Sequence, residues 1–303
     1  MAFSSASICR ANVTLFLPDG NYNLTPGATA EVKCNVYGPG ATLQAHTAAS
    51  GALLSIGTTA FHNIKLNGLH GYYLPYTEGQ ATTYLQSYGY KGIGLNLSQS
   101  QIVYCNFDIN QVAGFDAGIW MGNYYHASHI ASNKININVL QHCQYGLLQH
   151  SYAYGIEENQ ININYAVGCN ITSYAKSPHN NTGLFTDNEI RFGVIESHIT
   201  GSAYGIELVG QNCTNNKFEA LRILPASIYD VVTTVGDSPG FPTGNTFVIH
   251  DANSAPKISI GGDGNELIYK NGRATWSREP TAPLPQYPER EESNFRLRNH
   301  WMS

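Results

Sequence analysis

Five copies of one short pattern limit what this chain can fold into. Asn133-Lys-Ile-Asn-Ile, Asn159-Gln-Ile-Asn-Ile, Asn188-Glu-Ile-Arg-Phe, Asn216-Lys-Phe-Glu-Ala and Asn245-Thr-Phe-Val-Ile recur at intervals of 26, 29, 28 and 29 residues. In each copy an Asn precedes a run whose alternate residues are mostly apolar, the period of a strand with one buried face. Asn tolerates left-handed backbone conformations, so it suits the tight bend that starts each run. A strand-bearing period of this length predicts a stacked solenoid, in which no unit buries its apolar face alone.

The rest of each period fits one coil of a parallel β-helix. A second set of runs, Gly118-Ile-Trp-Met, Gly146-Leu-Leu-Gln, Asn170-Ile-Thr-Ser, Gly205-Ile-Glu-Leu and Ser227-Ile-Tyr-Asp, falls between the Asn strands, and a third short strand leads back to the next Asn. Three strands of about five residues with three turns fill a period of roughly 20–30 residues. A β-sandwich also has short strands and frequent turns, but it has no reason to keep the Asn spacing. The expected fold is all-β: a single-stranded parallel β-helix of about nine coils, right-handed by the rule for parallel crossovers. It is expected to span residues 1–272. Within it, residues 1–12 read as the remnant of an N-terminal cap. Residues 70–91 read as a projecting insertion that holds Tyr72, Tyr73, Tyr76, Tyr84, Tyr88 and Tyr90. Residues 273–303 are Pro-rich and form an irregular tail that caps the open end or contacts another subunit.

Only 12% of the 303 residues are charged, against about a quarter in ordinary globular chains. The net charge of −5 is spread along the chain, which speaks against nucleic acid or an anionic membrane as partner. No apolar run approaches the roughly 18 residues of a membrane span. The start, Met1-Ala-Phe-Ser-Ser-Ala-Ser, lacks the basic and apolar segments of a signal peptide. Six cysteines show no CxxC pattern, and no HExxH motif is present, so neither a metal nor any other cofactor is expected. Cys143 and Cys169 both lie ten residues after a ladder Asn, with His198 at the same offset. Stacked, buried free thiols are the expectation there.

The opening strands carry a family resemblance. Thr14-Leu-Phe-Leu-Pro-Asp-Gly-Asn-Tyr-Asn-Leu is followed by Val32-Lys-Cys-Asn-Val-Tyr-Gly-Pro-Gly-Ala-Thr-Leu. This pair resembles the start of pectate-lyase-like right-handed β-helices, and the resemblance extends over roughly residues 12–260. The acidic segment and capping helix usual in that superfamily are represented at most by Ser4 to Ala11. The signature acids of polygalacturonases and the acidic calcium cluster of pectate lyases are absent from the sequence. The chain is therefore closest in character to phage tailspike and tail-appendage proteins. That resemblance implies a homotrimer, placed in a virion tail or outside the cell, that binds a host surface polysaccharide and often cleaves it.

Chemistry can be sought by stacking coils on the Asn ladder, about 4.8 Å apart. Glu189 then neighbours Lys217, and Arg191 neighbours Glu219, as cross-strand ion pairs. Glu158 and Asp187 stand just before their Asn with no cation in the row. Like charges stacked so closely either carry a cost or share a proton. On the second run, Asn96, Trp120, Leu148, Thr172, Glu207 and Tyr229 line up facing outward, and Asp230 reaches this face through a bulge. An exposed indole near carboxylates suits a saccharide track. The candidate catalytic residues are thus Glu207 and Asp230, or else Glu158 and Asp187. The candidate substrate contacts are Trp120 and Thr172, together with Tyr124 and Tyr125 on the irregular loop Asn123-Tyr-Tyr-His-Ala-Ser-His. Three functional classes remain open at this point: a polysaccharide-cleaving tailspike (glycosidase or lyase), a non-catalytic receptor-binding or structural virion protein, and a bacterial lyase or epimerase.

Overall fold

The computed structural model describes residues 14–24, 30–32, 34–46, 52–56, 61–69, 92–98, 101–123, 128–151, 155–177, 183–196, 204–224, 228–236, 240–252, 256–270 and 275–277. Their strands assemble into three sheets, and the pairings within each sheet are parallel. The ladder sheet takes the strand that follows each Asn, Lys134–Gln141, Gln160–Val167, Glu189–Glu196, Lys217–Leu224, Thr246–Ile249 and Glu266–Tyr269, with Asn106–Ala113 after Cys105 and further strands on the N-terminal side. The glycine-run sheet contains Ile93–Leu97, Ala117–Asn123, Tyr145–Ser151, Ile171–Lys176, Tyr204–Val209 and Tyr229–Thr234. A short sheet of five strands, Gln101–Val103, His129–Ala131, Gly155–Glu157, Leu184–Thr186 and Cys213–Thr214, closes the third side.

The chain is therefore a parallel β-helix. Among the described residues five coils have all three sides, fewer than the nine or so expected, while the two long sheets extend beyond them. Thr275–Ser277 pairs with Lys257–Ser259 and so adds a rung beyond residue 272. The expected cap remnant, residues 1–12, the Tyr-rich insertion at 70–91 and the tail from residue 278 lie outside the described residues.

Alternation in the sequence explains the core. Ile135, Ile137, Ile161, Ile163, Ile190 and Phe192 point inward from the ladder sheet and meet Ile119, Leu147 and Ile206 from the glycine-run sheet and Ile130, Ile156 and Phe185 from the short sheet. Fully burying one such side chain is worth about 1.5–3 kcal/mol. Because equivalent positions stack in register, like packs on like. Phe218 and Phe247 lie with ring centroids 5.5 Å apart and planes inclined by 16°.

The ladder Asn side chains are buried and bonded to one another along the axis. Asn133 donates its Nδ2 to Oδ1 of Asn159 at 2.9 Å, and its backbone N–H reaches the same oxygen. The arrangement repeats through Asn188, Asn216 and Asn245 and ends on Asn265. Each Nδ2 also donates to a carbonyl of the short sheet, as Asn159 does to Ile130 at 2.8 Å. Every amide thus satisfies backbone groups that the corner would otherwise leave orphaned. The left-handed residue is not the Asn itself but the one before it. Tyr104, Ser132, Glu158, Asp187 and Asn215 have φ between 55° and 57°, and Gly244 and Gly264 take the same place. The Asn contributes hydrogen bonds, and its predecessor makes the bend.

The expected ion pairs form on the outer side of the ladder sheet. Lys217 Nζ lies 2.8 Å from Glu189 Oε1, and Arg191 Nε lies 3.9 Å from Glu219 Oε2. Glu219 also receives His250 Nε2 at 2.6 Å. Burial works against its charge, but the His250 hydrogen bond and the nearby Arg191 and Lys217 outweigh it and hold the carboxyl below its ordinary range. Cys105, Cys143, Cys169 and Cys213 are buried free thiols, as expected, whereas Cys34 is disulfide-bonded.

Candidate functional site

The glycine-run sheet carries side chains on its outer side in a register that differs from the one expected. Trp120 pairs with Asn96 and Leu148, Leu148 with Tyr174, Tyr174 with Glu207, and Glu207 with Val232. Tyr174 therefore occupies the place expected for Thr172, and Val232 that expected for Tyr229. The aromatic residues Tyr145, Tyr204 and Tyr229 form a separate outer row with Ala117 and Ile171.

Between these rows runs a level reserved for small residues. Pairings on either side place Gly118, Gly146, Thr172, Gly205 and Asp230 there. A Cβ on Gly146 would come within 2.6 Å of the Thr172 carbonyl oxygen, and one on Gly205 within 2.5 Å of that of Asp230. Carbonyls of the next coil press against this level, which is why glycine dominates it. Thr172 and Asp230 keep side chains there, both buried. Thr172 Oγ1 has no hydrogen-bond partner among the described residues. Asp230 accepts the backbone N–H of Lys257 on Oδ2 at 2.8 Å. Asp230 thus lies level with Gly205, two residues from Glu207 along the strand direction, and its carboxylate is engaged with backbone.

Trp120 is not an exposed stacking surface. It is 6% exposed and packs with Ile93, Ala117 and Leu148, against which Tyr145 and Tyr174 also lean. A neighbouring cluster unites Ile171, Tyr204 and Val232 with Tyr229 and Ile228. Tyr204 and Tyr229 stack with centroids 6.2 Å apart and planes inclined by 5°, and Tyr145 meets Tyr174 at 5.6 Å. A second apolar layer therefore covers the outer side of this sheet. Tyr124 and Tyr125 lie outside the described residues.

Glu207 sits within this layer, 8% exposed, between Tyr174 on one coil and Val232 on the next. Burial raises its carboxyl to about 7, and the nearby Lys176 charge works in the opposite direction. His150 is held at about 3, first by burial and then by Lys176. The residue keeps some exposure at its rim while its ring Nδ1 is enclosed, and the ring meets Tyr174 edge-on at 5.9 Å. At neutral pH the group therefore joins a carboxylic acid poised between its two forms and an uncharged imidazole, with Lys176 and the Tyr174 ring beside them. Titratable groups displaced in this way mark candidate sites of proton transfer.

His150, Lys176 and Tyr174 were not singled out by the sequence pattern. The signal that finds them is the aromatic or Ile residue opening each run: Tyr145-Gly, Ile171-Thr, Tyr204-Gly and Tyr229-Asp align directly and give the true register. The other acid pair lies elsewhere. Glu158 and Asp187 are exposed at the left-handed corners of adjacent coils. Glu158 Oε2 accepts from Ser132 Oγ at 3.0 Å, and Asp187 Oδ2 from Thr186 Oγ1 at 2.9 Å. Among the described residues no group of three His, Cys, Asp or Glu side chains is placed to hold a metal ion, and no helix is long and apolar enough to cross a membrane.

Fold and geometry together define the class: a parallel β-helix, here with a buried carboxyl on the outer side of one sheet. Set beside known proteins, the chain matches no family model, no curated protein and no solved structure.

Proposed function

We propose that this chain is a polysaccharide-binding β-helix of the phage tailspike kind, which cleaves a host cell-surface glycan with Glu207 as its proton-transferring residue. The observation that carries this reading is a carboxylic acid at about 7 set between Tyr174 on one coil and Val232 on the next. Cleavage of a glycosidic bond, by hydrolysis or by elimination, needs a proton delivered to the leaving oxygen. An acid whose pKa matches the working pH does this best. The half-buried Tyr174 ring beside it offers a sugar face an apolar surface. On this reading the protein acts as a homotrimer on a virion tail or outside the cell.

The test is incubation with a panel of capsular polysaccharides and lipopolysaccharides. New reducing ends mark hydrolysis, and unsaturated products mark elimination. Glu207→Gln keeps the side chain's shape and loses its proton, so it is expected to abolish product while leaving binding intact. Cleavage at the wild-type rate by that variant would exclude Glu207 and send attention to Glu158 and Asp187.

Two observations favour a second reading. The Asp230 carboxylate is occupied by the Lys257 N–H, and Trp120 is packed away from solvent. A non-catalytic receptor-binding or structural virion protein would use the same rod as a lectin or shaft. Binding to one glycan of the panel without any product distinguishes it.

A further inference from the structure

Lys176 lies on the outer side of the glycine-run sheet, one coil after His150 and level with Val209 of the coil that follows. Glu207 is two residues before Val209 on that strand. With strands about 4.8 Å apart and a rise of about 3.3 Å per residue, Lys176 and Glu207 are diagonal neighbours roughly 8 Å apart at Cα. Both side chains are long enough to bring their charged ends much closer. His150 is the direct neighbour of Lys176 on the other side. Lys176 thus lies in register between an imidazole and a carboxyl on three successive coils, beside Tyr174, which pairs with Glu207 and meets the His150 ring edge-on.

In such surroundings a single charge acts far more strongly than it would in water. We propose that Lys176 is a positioning residue for Glu207: its charge, applied diagonally across two coils, tunes how readily Glu207 gives up its proton and adds to burial in keeping His150 uncharged. The proposal rests on Glu207 being the proton-transferring residue. Lys176 need not touch substrate for this role. The other titratable groups facing Glu207 among the described residues are Tyr174 on the preceding strand, Tyr229 and Asp230 on the following one, and Tyr204 on its own. None of them changes in the experiment, so their influence cancels between variants.

The experiment is an NMR titration of the full chain with labelled Glu and His, comparing wild type, Lys176→Met and Lys176→Arg. Removing a cation makes protonation easier for both neighbours. In Lys176→Met the Glu207 midpoint is therefore expected to rise by about one pH unit from its value near 7, and the His150 midpoint is expected to rise as well. Lys176→Arg should leave both midpoints in place. A role in packing alone gives a different result. Loosening the layer would let water in and send Glu207 downward, toward an ordinary carboxyl, while His150 still rises. A Glu207 midpoint that falls or stays fixed in Lys176→Met overturns the proposal. Lys176→Gln repeats the test should the Met variant fail to fold. On any glycan that the wild type cleaves, the alkaline limb of the pH–rate profile is expected to shift upward with the titration. If the midpoints shift while Glu207→Gln still cleaves, the catalytic reading fails and the charge coupling stands.

Discussion

Asn188 hands two hydrogen bonds to a single atom of Asn216: its Nδ2 lies 3.0 Å and its backbone nitrogen 3.1 Å from Oδ1 of the next ladder Asn. In turn its own Oδ1 takes the equivalent pair from Asn159. All of these groups are buried, and Asn188 Nδ2 also serves the carbonyl of Ile156 at 2.8 Å. Asn188→Ala orphans donors above and acceptors beside it, each a loss of about 1–3 kcal/mol. Denaturant unfolding should register a destabilisation of at least about 3 kcal/mol. Asn138→Ala, on the exposed outer amide row, should change stability by about 0.5 kcal/mol or less.

Trp120→Ala removes the largest member of the outer apolar layer. The expected loss is about 3–5 kcal/mol, as for other large-to-small core changes. Unchanged thermal stability with weakened glycan binding would instead return Trp120 to the role of an exposed stacking surface.

Thr172→Val is expected to stabilise the fold. The change keeps the shape and discards a hydroxyl that is buried without a partner among the described residues, a gain on the order of 1 kcal/mol. Were Thr172 a substrate contact, the same variant would bind glycan less tightly, and a binding isotherm reads that difference directly.

Glu207 makes stability depend on pH in a defined direction. Its folded value near 7 lies above the ordinary 4.5, so the native state holds its proton longer than the unfolded chain does. The burial is free of penalty below about pH 4.5. As pH rises to 7 the unfolded state ionises first, and the native state loses about 3 kcal/mol of relative stability. Urea midpoints of wild type and Glu207→Gln at pH 5 and pH 8 should diverge by this amount, with the variant lacking the alkaline loss. His150 acts in the opposite sense: its folded value lies below the ordinary one, so its contribution is lost as pH falls below about 6.5.

Glu158→Gly and Asp187→Gly relieve left-handed backbone with φ of 56°. Each should raise stability by up to about 1 kcal/mol, less the small worth of the side-chain hydrogen bonds removed. A gain in melting temperature with undiminished glycan cleavage would mark both as corner residues. Loss of cleavage from a stabilised protein would mark them as catalytic.

These contrasts also indicate what the sequence could disclose. The Asn ladder was legible because one residue type performs one hydrogen-bonding task at the same corner of every coil, so its spacing survives as letters. The register of the outer rows was harder to read. Gly118, Gly146 and Gly205 answer a steric demand that Thr172 and Asp230 meet without being glycine, so runs aligned on their first residue slipped by two or three places. The burial of Trp120 and Glu207 arises from contacts between coils, which strand alternation in a single coil does not encode. The displaced protonation of Glu207 and His150 depends on that burial and became visible only with it.

The Asn corner has one further consequence. From the short sheet into the ladder sheet the chain follows the same path in five successive coils: a left-handed residue, then the buried side chain, then the strand, with Cys105 in the place of Asn at the first. The repeat lengths nevertheless differ, between 26 and 29 residues. All of that variation must therefore fall outside this corner. Each Asn acts as a synchronising mark that restarts the count of the coil, so a residue gained or lost elsewhere is forgotten before the next strand begins. A lineage carrying such marks can rewrite its loops, and with them the surfaces it meets, while the frame of the rod stays in phase.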